Sequence, residues 1–511
     1  MESFCKLTFT LVLFIFFLIL PPVFAQESLG LSYNTVIDAL SLDEMRAAVF
    51  RIQEHGLNPR NYWSEGMDGQ YQKGEYEQLK PLANQTFLRL LADISLGTID
   101  PEKLSPDIKL TRKKFLTPDR LRALIVSTGQ KPELLIAALA PQNTLYEALK
   151  HSLAKVYPAC QNGKWVKLTP SKKILKLGVK SPAVIPLKKY FTFLGYQISN
   201  LDDVVDQETV RAINDIEWTL HLKPDGKLRS SGKVWKFLNT PCMDRVHQLQ
   251  ADMEKIRWFP RQFEDRYIFI NLAMTYLVMV DKSQNPPYIM SFRTINGRVE
   301  RKSPTMKDRV VRVILNPFWV VPPTIFVEDK VKEIRHLSRR QVSEYFNSHN
   351  YEVWNKSFTK RLNPNSINWW ALNTSLDSEI YIRQKPHYMN ALGVIKFELT
   401  NSFSVYLHDT NQRELFLDPQ RLVSSGCIRV EKPLDLAEYL LKNSGWDRTK
   451  IESVIAKPGQ VMKTETPVIV QNPIAVYTMF LTSFLSSDGV LRFAEDAYEQ
   501  NKTILKTLQR L

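Results

Sequence analysis

The sequence predicts a multidomain α+β protein, helical in its first half and mainly β in its second. Its 511 residues exceed a single domain of roughly 100–200 residues. Apolar residues recur at helical spacing up to about residue 240. From Arg266 onward they alternate as in strands, punctuated by Pro, Gly and Asn. The composition is globular, 44% hydrophobic and 24% charged with 18 Gly and 29 Pro, which excludes a mainly disordered or collagen-like chain. No apolar run of about 20 residues follows the N-terminal segment, which excludes a polytopic helical membrane protein.

Residues 1–25 read as a secretion signal. Lys6 precedes a 14-residue apolar block, residues 7–20, which is short for a membrane span. Pro21 and Pro22 break it, and Val23 and Ala25 suit cleavage after Ala25. Export is therefore expected, with a retained inner-membrane tether as the alternative. Cleavage removes Cys5 and leaves Cys160, Cys242 and Cys427, so at least one thiol stays free. Cys160 and Cys242 either pair or sit as small buried apolar residues.

Residues 26–175 read as a helical scaffold. Ser41 is an N-cap before Met45, Val49 and Ile52, and Gly56 ends the run. A second helix ends at Gly97, and Pro141 divides a third stretch in two. Residues 180–243 form a compact unit with Val210, Ile213 and Ile216 at helical spacing, expected to be a small three-helix module. It suits either a polymer-binding role or a packed spacer. Residues 260–490 are the strand-rich domain. Within it, 331–378 reads as a helical, polar-aromatic insert, either a lid or a decorative subdomain. Residues 491–511 read as a C-terminal helix.

The net charge is +15, from 68 Lys and Arg against 53 Asp and Glu, which suits an anionic partner. The charges are dispersed, and no zinc finger, basic zipper or aromatic RNA-binding signature accompanies them, so no nucleic-acid partner is expected. No CxxC or HExxH occurs, so neither a metal nor another cofactor is expected.

Chemistry concentrates between Tyr406 and Leu441. A strand delivers His408, and Ser424-Ser425-Gly426-Cys427 follows as a small-residue turn. Small residues leave room around the sulfur and let backbone amides approach a reacting carbonyl. An imidazole can take the thiol proton so that sulfur attacks. Arg429 favours a thiolate or binds a substrate carboxylate.

This stretch resembles the catalytic domain of the L,D-transpeptidases, the YkuD-type fold, which cross-link peptidoglycan. His408, Gly426, Cys427 and Arg429 stand where that family has its motif. Asp409 replaces a usual Gly and Ser425 a usual His, as in the large multidomain Gram-negative branch. Asn316 to Pro322, and Asn390 to Gly393 through Lys396 and Phe397, look like signatures of that branch. The insert at 331–378 falls where the branch carries a capping subdomain. The 180–243 unit is similar to a peptidoglycan-binding module, although Glu217 and His221 replace its common Gln and Gly.

The resemblance implies a periplasmic cysteine acyltransferase in cell-wall biogenesis. His408 would be the base for Cys427, and the Gly426 and Cys427 amides the oxyanion hole. Tyr406, Ser425, Arg429 and Asn390 would contact substrate. The partners implied are donor and acceptor stem peptides, together with cell-wall synthesis proteins. Sulfur would form a thioester with a tetrapeptide stem, D-Ala would leave, and a 3→3 diaminopimelate cross-link would form. A carbapenem would acylate Cys427. The alternatives are an L,D-carboxypeptidase using the same dyad and a non-catalytic wall-binding scaffold. In this family a backbone carbonyl orients the histidine, and Asp409, a strand neighbour of His408, is not expected to be a triad member.

Overall fold

The structure, a computed structural model, describes residues 31–372 and 379–508. The expected signal and residues 373–378 of the expected insert lie outside the described residues.

In the helical half, local signals act at short range. The Ser41 side chain accepts from the Glu44 amide at the start of the helix Leu42–Arg51. A 3₁₀ turn, Ile52–His55, follows, and Gly56 closes it at φ 75°. The helix Tyr76–Leu96 ends at Gly97. Pro141 separates Pro132–Leu139 from Thr144–Gln161, whose cap Asn143 accepts from the Tyr146 amide at 3.0 Å. These helices share one apolar core that includes Leu90, Leu91, Leu135 and Leu149.

The next unit holds the helices Val184–Leu194, Gln207–Thr219 and Lys233–Leu238. Its fully buried Lys188 is neutralised by Asp202 and Asp206 at 2.7 and 2.5 Å. A disulfide joins Cys160 to Cys242, with Cα atoms 5.6 Å apart, and closes a loop around the whole unit. Replacing both cysteines with serine is expected to lower stability by about 2–4 kcal/mol, because the cross-link restricts the unfolded chain. The midpoint of urea unfolding measures this, and an unchanged midpoint would show the bond to be idle.

The helix Cys242–Arg257, most of it beyond the expected three-helix boundary, is a buried hub. Asp252 accepts the amides of Thr482 and Ser483 at 2.9 and 2.7 Å, and Lys255 donates to Asp252 and the Phe480 carbonyl. On the other side Glu254 accepts the Ile99 amide at 2.9 Å, and Arg257 donates to the His55 carbonyl. Each buried charge has a partner, without which burial would be costly. One helix thereby ties the scaffold to the β half.

Among the described residues, eight strands of that half form one closed path: β1 Arg266–Asn271, β2 Tyr276–Asp281, β3 Tyr288–Gly297, β4 Thr305–Leu315, β5 Ile395–Leu399, β6 Leu407–His408, β7 Ile428–Val430 and β8 Thr466–Met479, with the short strand Leu422–Ser424 pairing beside β3. They pair in the order β4-β5-β6-β7-β3-β2-β1-β8, and β8 returns to β4, closing a barrel. The pairs β6–β7 and β1–β8 are parallel. A scaffold strand, Ile108–Lys109, extends the sheet beside the start of β4.

Both faces of β1 are apolar because both are covered. Ile268 and Ile270 join the barrel core with Val313, Phe397, Leu407 and Ile428. Tyr267 and Phe269 join the scaffold core with Ala475, Tyr477 and Met479.

The insert differs from the expected helical lid. Helices Val331–Ile334 and Arg339–Ser348 are present, the second opened by a Ser338–Gln341 capping box. Asn350, at φ 55°, then reverses the chain into the strand Tyr351–Asn355. A separate four-stranded sheet follows the order Trp319–Val320, Ile380–Gln384, Tyr351–Asn355, Arg361–Leu362. Helical spacing ends at Ser348, and the aromatic and β-branched residues of Tyr351-Glu352-Val353-Trp354 pair with a strand some thirty residues on. The subdomain also begins earlier than residue 331, with Trp319–Val320, Pro323–Ile325 and the π-turn Phe326–Lys330. The C-terminal region is likewise mixed, a strand Leu491–Phe493 before the helix Gln500–Leu508.

Candidate functional site

β6 and β7 run side by side, with Leu407 opposite Ile428 and His408 opposite Arg429. Leu407 and Ile428 point into the barrel core. Side chains alternate along a strand, so Tyr406, His408, Cys427 and Arg429 share the opposite face. Adjacent strands lie about 4.8 Å apart. Continuing the register one residue back places Cys427 beside Tyr406, and the Ile428 amide donates to the Tyr406 carbonyl at 3.2 Å.

These four side chains, with Ser424 and Ser425, form the floor of a cavity of about 390 Å³. Its roof comes from the inserted subdomain through Trp319, Thr324, Ile325, Asp329 and Glu333. The ring of Tyr406 packs against the apolar core of that roof.

His408 is buried, and its Nδ1 lies within hydrogen-bond distance of the Asp409 carbonyl oxygen. A carbonyl only accepts, so Nδ1 carries the proton and Nε2 is the free base. Burial, then the positive charge of Arg429, brings the imidazole down to about 3, against the Asp409 carbonyl, which raises it. The ring is therefore neutral at physiological pH.

The Asp409 carboxylate faces elsewhere. Oδ2 accepts the Val394 amide at 2.9 Å and pairs with Arg413. A Cβ on Gly393, at φ 60°, would stand 2.1 Å from that oxygen, so only glycine fits there. Asp409 thus fixes the strand that carries the histidine and is no triad member.

Cys427 is half-buried, and its thiol faces the Ser404 carbonyl at 3.6 Å. Burial pushes the thiol above its ordinary value, while Tyr406, Lys396 and Arg429 draw it partly back. The Tyr406 hydroxyl is held well above its usual range by burial and by the sulfur beside it. Its ring packs edge-on against His408 at 5.6 Å, and Lys396 Nζ lies 4.3 Å from its centroid.

The turn before the sulfur is tightly bonded. Ser424 Oγ donates to the Cys427 carbonyl at 2.6 Å and accepts the Gly426 amide at 3.2 Å. Ser303 Oγ donates to the Gly426 carbonyl at 2.7 Å. Gly426 stands at φ 111°, a conformation that L side chains resist.

Two expected roles are corrected by this geometry. The Gly426 amide is spent inside its own turn, so of the two amides expected in an oxyanion hole only that of Cys427 remains. Asn390 is fully buried away from the cavity lining. Its side-chain amide donates to the Lys385 and Pro317 carbonyls, and its oxygen accepts from Leu392. It shapes the turn that brings Ala391 and Leu392 to the cavity and does not reach substrate. Tyr406, Ser425 and Arg429 do line the cavity with Cys427 and His408.

Sequence reasoning gave no role to Lys396 or Arg301. Lys396 pairs with His408 across β5 and β6, and alternation in Ile-Lys-Phe-Glu-Leu was the available signal. Arg301, in the loop after β3, donates to Ser425 Oγ at 3.1 Å, and nothing local in the sequence marks it. Among the described residues no cluster of three or more His, Cys, Asp or Glu is placed to hold a metal ion.

Residues 265–470 match the model of the L,D-transpeptidase catalytic domain, YkuD, and residues 38–153 match that of a Scaffold domain. A Haemophilus influenzae protein named "Putative L,D-transpeptidase" is 30% identical over 269 residues, 52% of this chain and 51% of that protein. The chain thus matches about half the length of that curated relative. Among solved structures, an L,D-transpeptidase from Xylanimonas cellulosilytica overlaps 61% of this chain and 100% of its own, at 12% identity and a TM-score of 0.18. One from Stackebrandtia nassauensis overlaps 61% and 97%, at 11% identity and a TM-score of 0.22.

Proposed function

We propose that the protein cross-links peptidoglycan stem peptides through Cys427, using the region 265–470 that matches the L,D-transpeptidase catalytic-domain model. The observation that carries this reading is the shared cavity. A neutral imidazole with a free Nε2 and a single free thiol among the described residues stand on adjacent strands and line one space.

The chemistry is acyl transfer in two halves. Cys427 Sγ attacks the carbonyl of the third residue of a tetrapeptide stem as His408 Nε2 takes the thiol proton. The Cys427 amide and the Tyr406 hydroxyl face the developing oxyanion, a type of interaction worth about 3–4 kcal/mol per donor in other enzymes. The C–N bond to the terminal D-Ala breaks, and His408 returns the proton to the leaving amine. The side-chain amine of a second stem's diaminopimelate then attacks the thioester, giving a 3→3 cross-link and the free thiol.

Arg429 and Ser425 suit a donor-stem carboxylate. The +15 charge favours an anionic wall polymer. The unit at 180–243 would hold the glycan, and the protein would act in the periplasm.

Mass spectrometry of tetrapeptide muropeptides incubated with the purified protein tests this. Cross-linked dimers with release of D-Ala are expected. Tripeptides alone would reassign the same dyad to hydrolysis, and no product would overturn the enzymatic reading.

A further inference from the structure

We propose that Arg301 is a positioning residue that fastens the inserted roof to the Cys427 turn and so sets how far the cavity opens. One guanidinium reaches both sides. Nη1 donates to Ser425 Oγ at 3.1 Å on the floor and to Asp329 Oδ2 at 2.8 Å on the roof. Nη2 donates to Asp329 Oδ1 at 2.9 Å, and Nε donates to Glu328 Oε2 at 3.1 Å. This fork uses the planar donor geometry that distinguishes arginine from lysine. The side chain is only 11% exposed, whereas Glu328 and Asp329 are 52% and 34% exposed. The arginine is therefore the fixed part, and the carboxylates are the part that water can solvate on release.

The two anchorages differ in rigidity. On the floor, the loop carrying Arg301 is laced to the nucleophile turn. The Arg298 amide donates to the Ser424 carbonyl at 3.0 Å, and Ser303 Oγ donates to the Gly426 carbonyl at 2.7 Å. On the roof, Glu328 and Asp329 sit in the π-turn Phe326–Lys330, a geometry that recurs at functional sites. Asp329 itself lines the cavity. Without the arginine, Glu328 and Asp329 lose the cation they share and the Ser425 hydroxyl loses its donor. Both effects favour an open roof and a looser turn. For the proposed reaction, which this inference takes from the preceding reading, an open roof admits water to the thioester.

The test reads access to sulfur directly and needs no substrate. Alkylation of Cys427 by iodoacetamide is followed by peptide mass spectrometry across a pH series. The high-pH plateau separates access from the thiol's ionisation. Arg301→Ala is expected to raise the plateau rate by about tenfold, the scale of a small population shift, and Arg301→Lys by less. Glu328→Gln with Asp329→Asn is expected to give most of the Arg301→Ala effect, and adding Arg301→Ala to that pair to add only the smaller part carried by the Ser425 bond. Unchanged plateaus in variants with wild-type melting temperatures would overturn the proposal, as would fully additive effects. If Arg301→Ala fails to fold, the carboxamide pair alone decides, because it leaves the arginine in place. With muropeptides, the same variants are expected to shift product from cross-links toward tripeptides. A faster plateau without any product would leave the latch standing and refute the transpeptidase reading instead.

Discussion

Cys427→Ser is expected to lower acyl transfer by at least about 10³-fold while leaving the fold intact. Burial, Arg429 and Lys396 make His408 a weak base, with a pKa of about 3. The resting pair is therefore a neutral thiol and a neutral imidazole. In the proposed reaction, proton transfer would therefore have to accompany attack, as sulfur bonds to carbon and Tyr406 and the Cys427 amide take up the oxyanion. A thiol of raised pKa still loses its proton far more readily than a serine hydroxyl, so the same base cannot serve the variant. The thiol's bond to the Ser404 carbonyl is long, 3.6 Å, and a serine hydroxyl can take the same place, so the melting temperature should barely change. Intact mass after incubation with a carbapenem checks the result. The wild type is expected to gain one adduct and Cys427→Ser none; equal adducts on both would place the reactive group elsewhere.

His408→Gln is expected to lower kcat/KM by about 10²–10⁴-fold, the usual weight of a positioned acid–base group. The wild-type pH profile carries a second signature. Since the folded imidazole titrates at about 3, its protonation should leave the rate untouched down to roughly pH 4. An acid limb centred near the ordinary 6.5 would refute the buried, neutral base.

The same shift fixes a stability trend. Below pH 6.5 the unfolded chain binds a proton at this histidine and the folded chain does not. Stability therefore falls as pH drops from about 6.5 toward 3, by up to about 1.4 kcal/mol per pH unit per histidine. His55 is lowered to about 3 as well, chiefly by burial, and acts in the same direction. His408→Gln should thus reduce the acid sensitivity without abolishing it. Urea midpoints at pH 7, 5 and 4 for both proteins measure the difference.

The elements legible in the sequence were those whose cause lies within a few residues. Ser41 accepts the Glu44 amide and the Gly56 amide donates to the Gln53 carbonyl, each within one turn, so their spacing alone located helix ends. The strand hosting His408 and the small-residue turn before Cys427 were legible for the same reason.

What failed depended on distant chain. The roof sheet pairs Tyr351–Asn355 with Ile380–Gln384, so its first strand reads as more helix until the partner is present. Asn390 looks like a site residue beside a glycine turn, yet its amide is consumed by Lys385 and Pro317 carbonyls. The Gly426 amide looks available until Ser424 Oγ folds back onto it. Arg301 sits in a polar loop and gains its meaning only from Ser425 and Asp329, 124 and 28 residues away.

The sequence by itself determined which reactive groups this protein owns: an imidazole, a thiol, and a turn small enough to admit a carbonyl. Only the tertiary structure decided how they work. Parallel pairing sets β6 against β7, so that two side chains nineteen residues apart share one wall. Burial beneath the inserted subdomain then sets their protonation, because the free energy of a charge depends on how much solvent remains around it, and no linear spacing encodes that.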